Sequence, residues 1–180
     1  MMEETKEKHH VFHAFCLRPK IKFEGQNSQE EIILVLRAHP ATQIYWVING
    51  LILIIILVLL NFIFPSFLNF ARILFLNIFG LGIIFSYLWF NFISWYFNVG
   101  IVTNQRIVDI DFHNVLYKEV TIAILGKVED VTSKTGGFFS AIFDYGNVFV
   151  QTAGTEANIE FLNIPKPAQV SKIINQLIHR

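Results

Sequence analysis

Two long apolar stretches, 44–64 and 73–97, lie close together in this chain of 180 residues and are separated by a short break at 65–69. About 20 helical residues are enough to cross the roughly 30 Å hydrocarbon core of a bilayer. Neither stretch contains a proline, so each can form an uninterrupted helix. The pattern predicts a transmembrane helical hairpin. Because the rest of the chain is polar and strand-like, the predicted fold class is an α+β membrane protein.

The residues that flank the hairpin predict its orientation. Lys and Arg collect on the cytoplasmic side of membrane helices, and Trp and Tyr collect at the interfaces. Only Arg72 lies in the loop of the hairpin, whereas several basic residues lie outside it, namely Arg18, Lys20, Lys22, Arg37, Arg106 and Lys118. Aromatic residues mark the same ends of both stretches, at Tyr45, Trp46, Trp89, Trp95 and Tyr96. We expect a multi-pass protein of the cell membrane with two spans and both termini in the cytoplasm.

The predicted hairpin divides the chain into four parts. Residues 1–22 are expected to be a mobile cytoplasmic tail, 23–43 a pre-membrane segment, 44–97 the hairpin, and 98–180 a cytoplasmic domain. Within the second part, the Ser28–Glu31 spacing is typical of a helix capping box, but the β-branched run 32–36 favours a strand. We favour the strand, because a short apolar segment beside a sheet can add to its edge.

Polar residues inside the hairpin predict where its helices touch. An amide in hydrocarbon needs a hydrogen-bond partner, and folding the chain about the loop brings Asn61 near Asn77 and Asn49 near Asn91. A small-residue spacing at Gly82 and Ser86 is expected to complete this helix–helix seam. The other interpretation is an oligomeric channel lined by the asparagines. It is less favoured, because neither stretch contains an ionisable residue of the kind that marks ion pathways.

The region after the hairpin alternates β-branched and aromatic runs with turn residues, which is typical of an antiparallel barrel or sandwich. Strands are predicted at 98–103, 106–112, 116–122, 127–132, 147–152 and 158–162. In the second of these, Val108, Ile110 and Phe112 are expected to face inward and Asp109, Asp111 and His113 outward. After Pro167 the apolar residues recur with helical spacing, which predicts a C-terminal helix that covers the sheet.

Four runs in this region, 102–109, 125–131, 143–148 and 151–154, resemble bacterial pleckstrin-homology-like (PH-like) membrane proteins of the YdbS/YdbT type. The segments 23–26 and 34–40 are also similar to what precedes the hairpin in that family, and the resemblance covers most of 23–178. It implies a seven-stranded PH-like barrel with a C-terminal capping helix, held at the membrane by the hairpin. It implies no catalytic residue.

Neither group of metal-ligating residue types is expected to bind a metal. His9, His10, His13 and Cys16 lie in the tail without a second ligand pair. Asp109, Asp111 and His113 show the alternation that the solvated face of a strand produces in any case. No nucleophile elbow or phosphate-binding glycine loop is present, and the 14 basic and 14 acidic residues balance. We therefore expect no cofactor, no enzyme activity and no nucleic-acid partner.

The expected function is a non-enzymatic interaction module anchored in the lipid bilayer, which binds a protein partner or a second copy of itself. An anionic-lipid sensor is the alternative, with possible headgroup contacts at Arg106, Lys118, Lys127 and Lys134. The connection around 135–143 is unusually apolar and is a candidate contact with a partner or with the membrane. Its large side chains are Phe138, Phe139, Ile142 and Phe143.

Overall fold

The computed structural model describes residues 13–113, 117–153 and 158–179. Two long helices, α1 (Ile44–Ile63) and α2 (Phe70–Phe97), are joined by a 3-10 turn at Phe64–Ser66. The side chain of Asn69 caps α2 by accepting a hydrogen bond from the backbone N–H of Arg72. Both helices are long and apolar enough to cross a membrane, and only 6% of the most apolar window of each is buried inside the structure. A core helix of a soluble protein would be mostly covered.

Five strands form one antiparallel sheet in chain order, which we call sheet A. They are β1 (Phe15–Leu17), β2 (Ile32–Leu36), β3 (Val99–Thr103), β4 (Arg106–His113) and β5 (Tyr117–Ile124). The first two precede the helices in sequence, and Leu36 of β2 lies opposite Gly100 of β3. The strand favoured at 32–36 is therefore present and adds to the sheet.

Three further strands, β6 (Val128–Lys134), β7 (Tyr145–Thr152) and β8 (Ile159–Pro165), form a second antiparallel sheet, sheet B. A short helix, α3 (Phe138–Phe143), connects β6 to β7, and the amphipathic helix α4 (Pro167–Ile178) follows β8. The main core lies between the two sheets and α4. Its members include Leu34, Val102, Val150, Val170 and Ile174, all fully buried.

The structure shows an α+β chain with two apolar helices followed by antiparallel sheets. Among the described residues, no strand pairing joins sheet A to sheet B into a closed barrel. The sheets meet instead through side chains, because Gly100 leaves room for the ring of Phe161 to approach the backbone of β3. The C-terminal helix is present where the apolar spacing predicts it, and it covers sheet B.

Strand β1 lies within the predicted tail, 1–22, where it pairs with β2 and where the side chain of Cys16 is buried. Both strands belong to the same sheet as β3, so this sheet extends beyond the predicted domain, 98–180, into the pre-membrane segment and the tail. The reason is that β2 supplies apolar side chains to both faces of sheet A, which propensity alone does not reveal.

The two faces of β4 also differ from the expectation. Ile107 points into the main core, and Asp109 lies on the same face and is only 9% exposed. Val108 belongs to a second, smaller apolar cluster on the opposite face of sheet A, with Ile101, Val35 and Cys16. Sheet A is thus apolar on both faces near its centre, and simple alternation assigned the inner face of β4 wrongly.

Sheet A has two ends that matter for function. Helix α2 leads into β3 through the single residue Asn98, and β2 leads toward α1, so both helices join the same end. We call this the helix-proximal end. The turn at Asn104 and Gln105 between β3 and β4 lies at the other end, the distal end. Strand β5 starts near the helix-proximal end, where Lys118 lies opposite Phe112, and finishes at the distal end, where Ile124 lies opposite Arg106.

Candidate functional site

The helix-proximal end of sheet A is fixed directly to α2. The indole N–H of Trp95 donates a 2.9 Å hydrogen bond to the backbone carbonyl of Ala38, between β2 and α1. The side-chain oxygen of Asn98 accepts a 2.6 Å hydrogen bond from the backbone N–H of Phe112. The rings of Phe97 and Phe112 lie 5.4 Å apart. These contacts hold the sheet at a set position on the helix instead of tethering it by a linker.

The distal end of sheet A is held by a buried ion pair. The guanidinium of Arg106 binds both carboxylate oxygens of Glu30 at 2.9 Å, and it also donates to the carbonyl of Gly25. The Glu30 side chain is fully buried, and its carboxylate accepts further hydrogen bonds from the hydroxyl of Thr103 and the backbone N–H of Asn27. The hydrogen bonds from Arg106 lower the pKa of Glu30, against the opposing effect of burial.

This network explains why the segment before β2 is not a helix. Glu30 accepts a hydrogen bond from the backbone N–H of Asn27 while it binds Arg106 across the sheet, and it directly precedes Glu31, the acidic residue of the apparent capping box. The backbone of Glu31 also exchanges hydrogen bonds with Asn104. A side-chain pair separated by 76 positions in sequence gives no local pattern that could predict it.

The four basic residues considered for lipid contact do not form one basic surface. Arg106 and Lys127 lie at the distal end, where Lys127 follows β5 in the turn to β6. Lys118 lies near the helix-proximal end. Lys134 ends β6, and its ammonium lies 4.9 Å from the centre of the Phe149 ring. Because Arg106 is bound to Glu30 and its side chain is only 21% exposed, it has little surface to offer a headgroup.

Helix α3 lies beside the start of α1. The His39 ring stacks on that of Tyr145 at 5.7 Å and lies 6.2 Å from that of Phe143. The backbone N–H of His39 also donates to the carbonyl of Asn163. His39 caps the 3-10 turn Pro40–Gln43, which runs directly into α1. Burial lowers the pKa of His39, and the nearby Asp144 opposes this effect.

The apolar side chains of α3 point away from the protein. Ser140 is buried and its hydroxyl is 2.6 Å from the carbonyl of Gly136, which holds the short helix against its own connection. The remaining large side chains are exposed, at 76% for Phe138, 55% for Phe139, 59% for Ile142 and 44% for Phe143. The structure thus leaves the candidate contact segment uncovered and places it at the helix-proximal end.

Strand β5 forms an open edge of sheet A. It pairs with β4 along all eight of its residues, and no described strand pairs with its other side. Three alternate side chains on its outer face, Val120, Ile122 and Ile124, are 44%, 47% and 51% exposed. Lys118 and Glu119 are charged and lie at the start of β5, but from Val120 to Ile124 the outer face of this edge is apolar and is able to accept an additional strand.

The helix–helix seam contains one of the two predicted asparagine pairs. Asn61 and Asn77 exchange two side-chain hydrogen bonds, of 2.8 and 2.7 Å. Asn49 does not reach Asn91. Its amide lies 3.5 Å from the hydroxyl of Tyr87, while the amide of Asn91 donates to the backbone carbonyl of Tyr87 within its own helix. Asn49 therefore lies at the depth of Tyr87, about one helical turn away from the predicted partner Asn91.

The glycines that allow the two helices to approach each other are Gly50 and Gly80, and not the predicted Gly82. A β-carbon at Gly82 would meet open space, and the hydroxyl of Ser86 donates to the carbonyl of Gly82 in its own helix. Both residues therefore lie outside the seam. A β-carbon at Gly50 would come within 2.5 Å of Leu88, and one at Gly80 within 2.9 Å of Leu57. The enrichment of small residues at helix–helix contacts is the sequence signal that could have identified Gly50 and Gly80.

Asp109 is an acidic side chain whose pKa is strongly raised. Burial, together with the nearby carboxylates of Asp111 and Glu119, raises the pKa of Asp109 from 3.8 to about 7. It lies between Gly100 and Thr121 of the neighbouring strands. The three acids share one face of sheet A. Because its pKa is raised to about 7, the carboxyl of Asp109 is largely protonated below neutral pH.

The described residues contain no group of three His, Cys, Asp or Glu side chains arranged to hold a metal ion. Of the two candidate metal groups, His9, His10 and the side chain of His113 lie outside the described part of the chain. Cys16 packs in the smaller apolar cluster. An open, shallow depression lies along α4 and is lined by Lys172, Gln176 and His179 among others.

Comparisons of this chain with protein-family models, with curated proteins and with solved structures find no match. We therefore classify this protein by its structure alone. It is an α+β protein in which two apolar helices, long enough to span a membrane, are fixed to antiparallel sheets.

Proposed function

We propose that this protein is a non-enzymatic interaction module of the PH-like type, anchored in the cell membrane by α1 and α2, which presents sheets A and B at the cytoplasmic face to a protein partner. The exposed apolar surface of the two helices supports the anchor, since a bilayer is the solvent that accepts such a surface. The basic residues outside the hairpin support the orientation.

The observation that carries the interaction is the open edge of β5. Its backbone hydrogen-bonding groups on one side are unpaired within the described sheets, and Val120, Ile122 and Ile124 give its outer face an apolar character. Strand addition at such an edge combines backbone hydrogen bonds, which supply affinity, with side-chain contacts, which supply specificity. We therefore place the partner at β5.

Geometry favours a different protein over a second copy at this edge. In a second copy in the same membrane, β5 would also start near the helices and finish away from them, which favours parallel over antiparallel addition. Every pairing in the described sheets is antiparallel, and parallel pairing is slightly less stable per residue. An extended segment of another protein can add in either direction.

The test is site-specific photocrosslinking of the full chain in its native membrane. We expect a photoreactive residue at Val120 or Ile122 to give one discrete adduct, and Ile124→Lys to remove it, because an edge lysine opposes strand addition. Leu162, which is 52% exposed on β8, is the matched control position and is expected to give no such adduct. A mass near twice 20.8 kDa would assign the edge to a second copy, and equal adducts at Leu162 would contradict the proposal.

A further inference from the structure

We infer that α3 is a second membrane contact, in which Phe138, Phe139, Ile142 and Phe143 insert into the headgroup region of the bilayer that α1 and α2 cross. This inference rests on the proposed function, because it requires that the two helices span the membrane. It adds a lipid-binding surface to the cytoplasmic domain, separate from the β5 edge.

Helix α3 lies next to the start of α1. Strand β6 ends at Lys134, and β7 begins at Tyr145, whose ring stacks on His39. His39 caps the 3-10 turn at Pro40–Gln43, and α1 begins at Ile44. Helix α3 is therefore adjacent to the point where the chain enters the first apolar helix, and its depth is set by the start of that helix.

The residues at the start of α1 mark the level of the membrane interface. Ile44 and Tyr45 at the start of α1 are 50% and 61% exposed, and an exposed tyrosine at a helix end is typical of the headgroup region. The indole N–H of Trp46 donates to the side chain of Gln43, so its polar edge also faces this level. Because Phe143 shares its contact with His39, α3 lies close to the same level.

The segment that contains α3 is uncharged and mostly apolar. Residues 135–143 contain no charged side chain, and four of the six residues in α3 are large and apolar. Ser140, the polar residue of α3, is turned inward and bonded to its own loop. A short helix with an apolar outer surface lies in the interface plane of a bilayer, where it buries that surface. Water would leave it exposed.

The experiment uses the full chain in liposomes of neutral phospholipid, with a fluorescent probe attached to a single cysteine. Cys16 is the one cysteine of the chain, so Cys16→Ala supplies the background. Probes at Phe138→Cys and at Phe139→Cys test α3 independently. Gly126→Cys is the matched control, because this position follows β5 at the distal end and has open space around it. Ile55→Cys, near the middle of α1 and 49% exposed, reports on the span itself.

We expect the two α3 probes to lose most of their emission when the lipids carry a nitroxide quencher near the headgroup, and less when the quencher is deep in the acyl chains. The probe at Ile55 should show the reverse order, and the probe at Gly126 should respond to neither. If the α3 probes behave like Gly126 while Ile55 is quenched, the inference is overturned and the proposed anchor stands. If Ile55 is not quenched, the proposed anchor itself fails and the inference fails with it.

Discussion

The two ends of sheet A are stabilised by opposite chemistry. At the distal end a buried carboxylate and a guanidinium, Glu30 and Arg106, tie the segment before β2 to the β3–β4 turn. At the helix-proximal end, aromatic rings, the indole hydrogen bond from Trp95 to Ala38 and the hydrogen bond from Phe112 to Asn98 tie the sheet to the helices. Amphipathic aromatic rings are typical of an interface between lipid and water. The aromatic end is the one that joins the two apolar helices.

The largest expected effect breaks the distal end. Arg106→Met leaves the Glu30 carboxylate buried without its partner, and we expect a loss of about 3–5 kcal/mol in unfolding free energy, measured by denaturant unfolding in detergent. Lys118→Met, which removes an exposed charge of the same sheet, is the control and should change stability by less than about 0.5 kcal/mol. Adding Glu30→Leu to Arg106→Met should recover most of the loss. No recovery would mean that the carboxylate is not the source of the cost.

A second prediction concerns the acidic residues Asp109, Asp111 and Glu119, which lie near the helix-proximal end of sheet A. The pKa of Asp109 is raised in the folded state to about 7 from 3.8, so the folded protein holds a proton that the unfolded chain releases. Its contribution to stability is present at pH 4 and is lost as the pH rises through about 7. We expect Asp109→Asn to stabilise the protein by about 1–3 kcal/mol at pH 8 and to have little effect at pH 4.

The control for this effect is a nearby acid that lies on the exposed surface. Glu119→Gln removes a carboxylate that repels Asp109, but it does not fill a buried site, so we expect a smaller gain at pH 8. Thermal unfolding of both variants from pH 4 to pH 8 is the measurement. An Asp109→Asn difference that does not grow with pH would show that this carboxyl titrates normally.

A third prediction tests the seam that lies beyond the helix-proximal end. Gly50→Val places a branched side chain against Leu88, whereas Gly82→Val places the same side chain in open space. We expect the first change to cost about 1–3 kcal/mol by overpacking and the second to cost little. Thermal unfolding in detergent compares them. Equal effects would place Gly82 in the seam and contradict the helix contact described above.

The smallest expected effect is at the junction itself. Trp95→Phe keeps most of the apolar contact but leaves the carbonyl of Ala38 without its indole donor, and we expect a loss of about 1 kcal/mol. Trp89→Phe is a suitable control, because Trp89 is 49% exposed on the helix surface. Hydrogen exchange of the β2 and β3 amides should rise for the first variant alone. If both variants behave alike, the junction hydrogen bond adds nothing.

The sequence predicts the parts of this molecule that follow from local patterns. Apolar length identifies both helices to within three residues at each end, β-branched runs locate most strands, and helical spacing after Pro167 identifies α4. It also points to Asn61 and Asn77, because two amides in apolar helices need partners at one depth. It does not predict β1, since three residues of strand carry too little pattern to be distinguished from a tail.

Contacts between distant segments are what the sequence could not supply. Glu30 looks like part of a local cap and Arg106 like a free surface cation, until the fold brings them together. Asp109 looks solvated because it alternates with Val108 and Ile110, but sheet A carries apolar clusters on both faces, so alternation cannot say which face is covered. The position of α3 beside His39 depends in the same way on how the two sheets meet.

The most direct test of a membrane-spanning hairpin is to determine on which side of the membrane the hairpin loop and the distal end of sheet A lie. In the Cys16→Ala background, Phe67→Cys at the 79% exposed hairpin loop and Gly126→Cys at the distal end are labelled in intact cells with a thiol reagent that cannot cross membranes. We expect Phe67→Cys to be labelled at once and Gly126→Cys only after the membrane is opened. Labelling of both positions from the same side would contradict a membrane-spanning hairpin that holds the sheets at the cytoplasmic face.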